Sequence, residues 1–97
     1  MQVQVITGGQ ATGKTTKLRA IQDELKAQGV EAPIVTGNAC TTPYFLNQIS
    51  EHVISGAKYF LADDCTLFQI KAVLALAAEG ERSGLPYNLI VHLVREA

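Results

Sequence analysis

Short apolar runs alternate with longer amphipathic stretches along this chain. In an opening strand over residues 2–7, Val3 and Val5 share one face while Gln2 and Gln4 share the other. Leu18, Ile21 and Leu25 then recur at helical spacing, predicting a helix over 13–28 that stops at Gly29. A short strand near 33–36 leads through the polar loop Gly37-Asn38-Ala39-Cys40-Thr41 into a second helix. There Thr42 reads as the N-cap and Pro43 as the first helical residue. Leu46, Ile49 and Val53 form its apolar face, and it should end near Ser55-Gly56. A third strand over 58–62 ends in Asp63-Asp64. The third helix, about 66–79, is expected to bury Leu67, Ile70, Leu74 and Ala77 and to close at Gly80. Residues 81–86 read as a turn-rich connector. The last strand, 89–94, is apolar on both faces apart from His92, as suits the middle of a parallel sheet.

The order β-α-β-α-β-α-β predicts an α/β fold of three layers, with four mostly parallel strands and about three helices. Right-handed crossovers restrict its topology further. With 97 residues the chain supports one domain, spanning 1–97. Its composition, 47% hydrophobic and 18% charged, argues for a packed core and against disorder. A net charge of −1 removes bulk electrostatics as a route to nucleic acid or an anionic membrane. Nucleic acid is not indicated. The longest clean apolar run, 72–78, is too short to span a bilayer, and no basic leader precedes an apolar segment at the N-terminus. The expectation is a cytoplasmic protein without a membrane anchor.

Between the first strand and the first helix lies Gly8-Gly9-Gln10-Ala11-Thr12-Gly13-Lys14-Thr15, which fits G-x-x-x-x-G-K-[ST] at every required position. A triphosphate needs a ring of donors and no steric wall. Gly8 and Gly13 permit a tight backbone path, and successive N–H groups make an anion-binding nest over the positive end of the helix. Lys14 is placed to reach the β- and γ-phosphate oxygens, and the Thr15 hydroxyl to ligate magnesium. Thr16 serves the α-phosphate or simply caps the helix.

Tyr59-Phe60-Leu61-Ala62-Asp63-Asp64 is an apolar strand ending in two carboxylates. The C-terminal end of such a strand faces the ligand crevice of an open α/β sheet. Asp63 is therefore expected near Thr15, holding magnesium through water, and Asp64 is a candidate general base toward an attacking water. A helix cap or turn role is the plain alternative for both.

These two segments resemble the Walker A and Walker B motifs of P-loop NTPases, and the resemblance extends to the β/α order of the whole chain. It implies binding of Mg·ATP with slow hydrolysis, Lys14 and Asp64 acting on the reaction and Thr15 and Asp63 placing the metal. One strand lies between the motifs, which resembles the branch with strand order 1-4-3-2. In that branch the second acid is usually Glu, whereas Asp64 is one methylene shorter. No Asn-Lys-x-Asp guanine motif occurs. Relatives continue with a fifth strand beside strand one; the order here leaves strand one at an edge, open to a second copy or a partner chain. Two other functions stay open. One is a small phosphotransferase, with an acceptor pocket between residues 37–42 and the connector carrying Arg82. The other is a non-catalytic, nucleotide-regulated assembly module.

Weaker signals have plainer readings. Cys40 and Cys65 are expected as neighbours at strand ends and as inert packing residues rather than redox or metal ligands. His92 is expected to be a satisfied core residue. Arg95, Lys17, Arg19 and Lys26 read as solvated charges, and Phe45 as core beside Tyr44.

Overall fold

A computed structural model of the chain describes residues 1–7, 13–83 and 88–96, the side chains of 81–83 apart. The elements are β1 (Gln2–Ile6), α1 (Lys14–Ala27), β2 (Ile34–Thr36), α2 (Thr42–Ser55), β3 (Tyr59–Cys65), α3 (Leu67–Ser83) and β4 (Ile90–Arg95), with a 3-10 turn at Gly37–Ala39. The four strands form one sheet in the order β1-β4-β3-β2, and every pair is parallel. Fold class and strand order are those expected from the sequence.

Two cores flank the sheet. On one side Leu18 and Leu25 of α1 pack with Ala32, Leu61 and Val94. On the other, Phe45 and Ile49 of α2 and Ile70 and Val73 of α3 pack on Phe60, Ala62, Val91 and Leu93. Phe45 and Phe60 meet edge to face at 5.7 Å. β4 lies between β1 and β3, which explains its apolar sequence: Val91, His92, Leu93 and Val94 are all buried. Among the described residues β1 has one neighbouring strand, and Gln2 and Gln4 are exposed on its α1 side while Val3 and Val5 pack toward α2 and α3. Its alternation is thus the mark of an edge strand covered on one face.

Left-handed glycines end two helices, as expected: Gly29 after α1 (φ 82°) and Gly56 after α2 (φ 77°). Other expectations need correction. The N-cap of α2 is Thr41 rather than Thr42; its hydroxyl accepts the Tyr44 N–H at 3.3 Å, a reach that Pro43 in the first turn leaves open. β3 does not stop at Ala62 but runs through Asp63 and Asp64 to Cys65. α3 does not close at Gly80 but continues to Ser83. One interior glycine costs about 1 kcal/mol relative to alanine, too little to end a helix already held by its packed turns. Residues 81–83, expected in the connector, are therefore helical, and the rest of that connector, 84–87, lies outside the described residues.

The buried stripe of α3 also differs. Leu67 and Leu74 are 42% and 45% exposed, whereas Gln69, Ile70 and Val73 are buried and Leu76 packs against the core. The helix is rotated so that Gln69 faces inward, for reasons given below. Among the described residues no helix is long and apolar enough to cross a membrane.

Candidate functional site

All four strands run the same way, so their C-terminal ends share one edge of the sheet, and α1 begins there. Gly13 precedes α1 with φ 74° and, as a glycine, offers the helix no side-chain cap of its own. The first-turn N–H groups carry the positive end of the helix dipole. Lys14 follows and is only 8% exposed. Its Nζ donates to the Arg95 carbonyl at 2.7 Å, on the last residue of β4. Thr15 is half-buried, and its Oγ1 donates to Asp63 Oδ2 at 3.1 Å. The other Asp63 oxygen, Oδ1, accepts the Asp64 N–H at 2.8 Å.

Asp63 takes its direction from strand alternation: Leu61 packs on the α1 side and Ala62 on the other, so Asp63 returns to the α1 side, and a β-bulge follows it. Ala62 pairs with Leu93 and Cys65 with Arg95, so β3 takes three steps where β4 takes two. Both Ala62 and Cys65 stay in the core under α2 and α3, so the bulge returns Cys65, rather than Asp64, to that face. The extra residue is accommodated at Asp64, whose φ of 51° is the only left-handed value at a non-glycine among the described residues. Aspartate tolerates that conformation better than most residues, yet it still costs energy and must be held by its surroundings. The carboxylate of Asp64 is on an exposed residue.

The structure therefore brings Lys14, Thr15, Asp63 and Asp64 to one edge of the sheet. Thr16 is exposed on the first turn of α1, and Arg95 is exposed at the end of β4. The expected phosphate-loop residues Gly8, Gly9, Gln10, Ala11 and Thr12 lie outside the described residues, as does the side chain of Arg82.

Neither aspartate caps α3. That helix is capped by a reciprocal pair: the Thr66 N–H donates to Gln69 Oε1 at 2.9 Å, and the Gln69 N–H donates to Thr66 Oγ1 at 3.1 Å. Sequence reasoning missed Gln69, although Thr66-x-x-Gln69 ahead of an apolar run is the signature of this cap.

The remaining candidates separate. Cys65 is fully buried and its thiol is pushed up to about 12, first by burial and then by the nearby carboxylates of Asp63, Asp64 and Glu96 against a lowering backbone hydrogen bond at Val94. Cys40 is half-buried, packs against the same core, and gives its thiol hydrogen to the Thr36 carbonyl at 3.5 Å. Both are free thiols. His92 is buried as expected but not fully satisfied: Nδ1 has no hydrogen-bond partner among the described residues. It sits mid-strand between Gln4 and Leu61, and burial pushes its pKa down.

Among the described residues no group of three or more His, Cys, Asp or Glu could hold a metal unaided. A hydroxyl and a carboxylate, Thr15 and Asp63, are nevertheless hard oxygen donors that suit magnesium when substrate phosphates complete the shell. No family model, curated protein or solved structure matches the chain.

Proposed function

We propose that the chain binds the magnesium complex of a nucleoside triphosphate, ATP in the first instance, and hydrolyses it slowly as a minimal P-loop NTPase. The observation that carries this reading is the 3.1 Å hydrogen bond from Thr15 to Asp63. It unites the last residue of the G-x-x-x-x-G-K-T pattern with the first carboxylate of the apolar strand, two segments singled out separately in the sequence.

Thr15 and Asp63 would hold magnesium, which when bound supplies neutralising charge to the phosphate oxygens. Lys14 keeps an ammonium group ready beside them. Its carbonyl partner on Arg95 is a weaker acceptor than a phosphate oxygen, so exchange of one for the other is favourable. The backbone of residues 8–15 supplies further N–H donors in this reading. Asp64 is the residue proposed to orient water. Its strained backbone and exposure support that role, since such outliers concentrate at working sites. A cytoplasmic setting accords with two unpaired cysteines. The open edge of β1 is where a second copy or a partner chain would add a strand; sedimentation as a monomer at high concentration removes that part.

Titration of Mg·ATP, followed by backbone amide NMR with Lys14→Ala as control, tests the reading. Saturable shifts around Gly13 to Thr16 and Asp63, abolished in the variant, are expected. No shifts at millimolar nucleotide would overturn it. Release of free phosphate, rather than label on an added acceptor, then separates hydrolysis from phosphotransfer.

A further inference from the structure

We infer that Gln69 is a positioning residue for Asp63, acting through the β3 bulge and the turn after β2; what Asp63 then does rests on the function proposed above. Gln69 is a polar side chain only 1% exposed. Its Nε2 donates to the Gly37 carbonyl at 2.7 Å and the Cys40 carbonyl at 3.1 Å, while Oε1 accepts the Thr66 N–H. The amide orientation follows from chemistry, because a flipped amide would set its oxygen against two carbonyls.

A helix cap needs only the Thr66 contact. The two bonds to Gly37 and Cys40 are additional, and they reach across to the turn after β2. That turn lies directly on the bulge. A Cβ added at Gly37 would come 2.9 Å from Cys65 Cα, 2.9 Å from Gln69 Oε1 and 3.2 Å from the Asp64 carbonyl oxygen. Only glycine allows so close a seat. The ring closes on both sides: Thr36, just before the turn, pairs with Asp63 in the sheet, and Glu96 N–H donates to the Cys65 carbonyl at 2.9 Å. Gln69 thus clamps the turn onto the strained segment 63–65. The clamp also accounts for the rotation of α3, since burying residue 69 carries Leu67 and Leu74 outward. The left-handed Asp64 presents its N–H to Asp63 Oδ1, and relaxation of the bulge would withdraw that donor and free the carboxylate that accepts from Thr15.

Native-state hydrogen exchange on the nucleotide-free protein is the first test. The Asp64 amide, bonded to Asp63 Oδ1, reports on the bulge, and the Cys40 amide, bonded to the Gly37 carbonyl, reports on the turn. If Gln69 joins them, both open together with equal protection; protection differing more than tenfold overturns the clamp. The second test uses Gln69→Met and Gly37→Ala, which unseat the turn from opposite sides, with Thr66→Ala removing the cap alone. The first two should speed exchange at Asp64 at least tenfold. They should also cut the affinity gained by adding magnesium to ATP by about 10–100-fold, the range for groups that orient a metal ligand. Thr66→Ala should lower the melting temperature and change neither. Wild-type exchange at Asp64 and a wild-type magnesium gain in both unseating variants overturn the inference. Failure of wild-type protein to bind Mg·ATP would instead overturn the proposed function, leaving the exchange measurements to judge the clamp.

Discussion

Thr15 Oγ1 and Asp63 Oδ2 stand 3.1 Å apart across a sequence separation of 48 residues. The contact joins the first turn of α1 to β3, so it is both a tertiary tie and the centre of the candidate site. Asp63 accepts from two donors, Thr15 and the Asp64 N–H, which leaves its carboxylate oriented before any ligand arrives.

A double-mutant cycle of Thr15→Val and Asp63→Asn measures that tie. Urea unfolding should give a coupling of about 0.5–3 kcal/mol, as expected for contacting residues. Strict additivity would show that the two groups do not interact in solution.

Lys14 carries a charge into a site only 8% exposed, where its ammonium group donates to the Arg95 carbonyl. Lys14→Met keeps the buried stem and removes the desolvated charge. Its urea midpoint should equal or exceed that of wild type, while nucleotide-induced NMR shifts disappear. A large loss of stability would mean that the lysine is there for the fold.

Burial lowers the pKa of His92 below its ordinary 6.5, so near that pH the unfolded chain binds more protons than the native one. Stability from this group is fully present above about pH 6.5 and is lost as pH falls toward the native pKa. His92→Leu should flatten the dependence of the urea midpoint between about pH 5 and 7. An unchanged slope would assign the acid sensitivity to other groups.

Alkylation should distinguish the two thiols. Cys65 is fully buried with its pKa near 12, whereas Cys40 is half-buried. At pH 8 without nucleotide, iodoacetamide should modify Cys40 first, and Cys65 only after denaturant is added. Early mass labelling at Cys65 would contradict its burial.

Val73 and Leu74 test the rotation of α3. Val73 is fully buried and Leu74 is 45% exposed. Val73→Ala should cost about 2 kcal/mol, from two buried methyl groups and the cavity left behind. Leu74→Ala should stay within about 0.5 kcal/mol. The reverse order would restore the face expected from spacing alone.

What the sequence made legible was whatever a periodic pattern or a fixed spacing encodes. The alternation Gln2-Val3-Gln4-Val5 marked an edge strand, Leu18 and Leu25 marked the inner face of α1, and the apolar run ending at Asp63 put that carboxylate near Thr15. The bulge was illegible because its two aspartates, Asp63 and Asp64, read as the end of an apolar strand rather than as part of it. Helix periodicity misplaced Leu74 because leucine, alanine and valine on all sides of α3 leave its rotation undetermined. A polar residue decided it: Gln69 had long-range partners at Gly37 and Cys40 that no local pattern displays.

The strand order has a consequence for how the chain reaches this structure. Gln2 pairs with Ile90 and Ile6 with Val94, so β1 meets its neighbour among the described strands only after β2, β3 and their helices have intervened in the sequence. The floor beneath Leu18 of α1 likewise waits for Leu61 and Val94. By contrast, β2, α2, β3 and α3 can assemble from nearby sequence. Loop closure must be completed before β1 gains any pairing energy, which slows folding and favours a late, cooperative final step. Until β4 is in place, β1 has no strand to pair with among the described residues, and during that interval its backbone is open to chaperones, proteases and other chains.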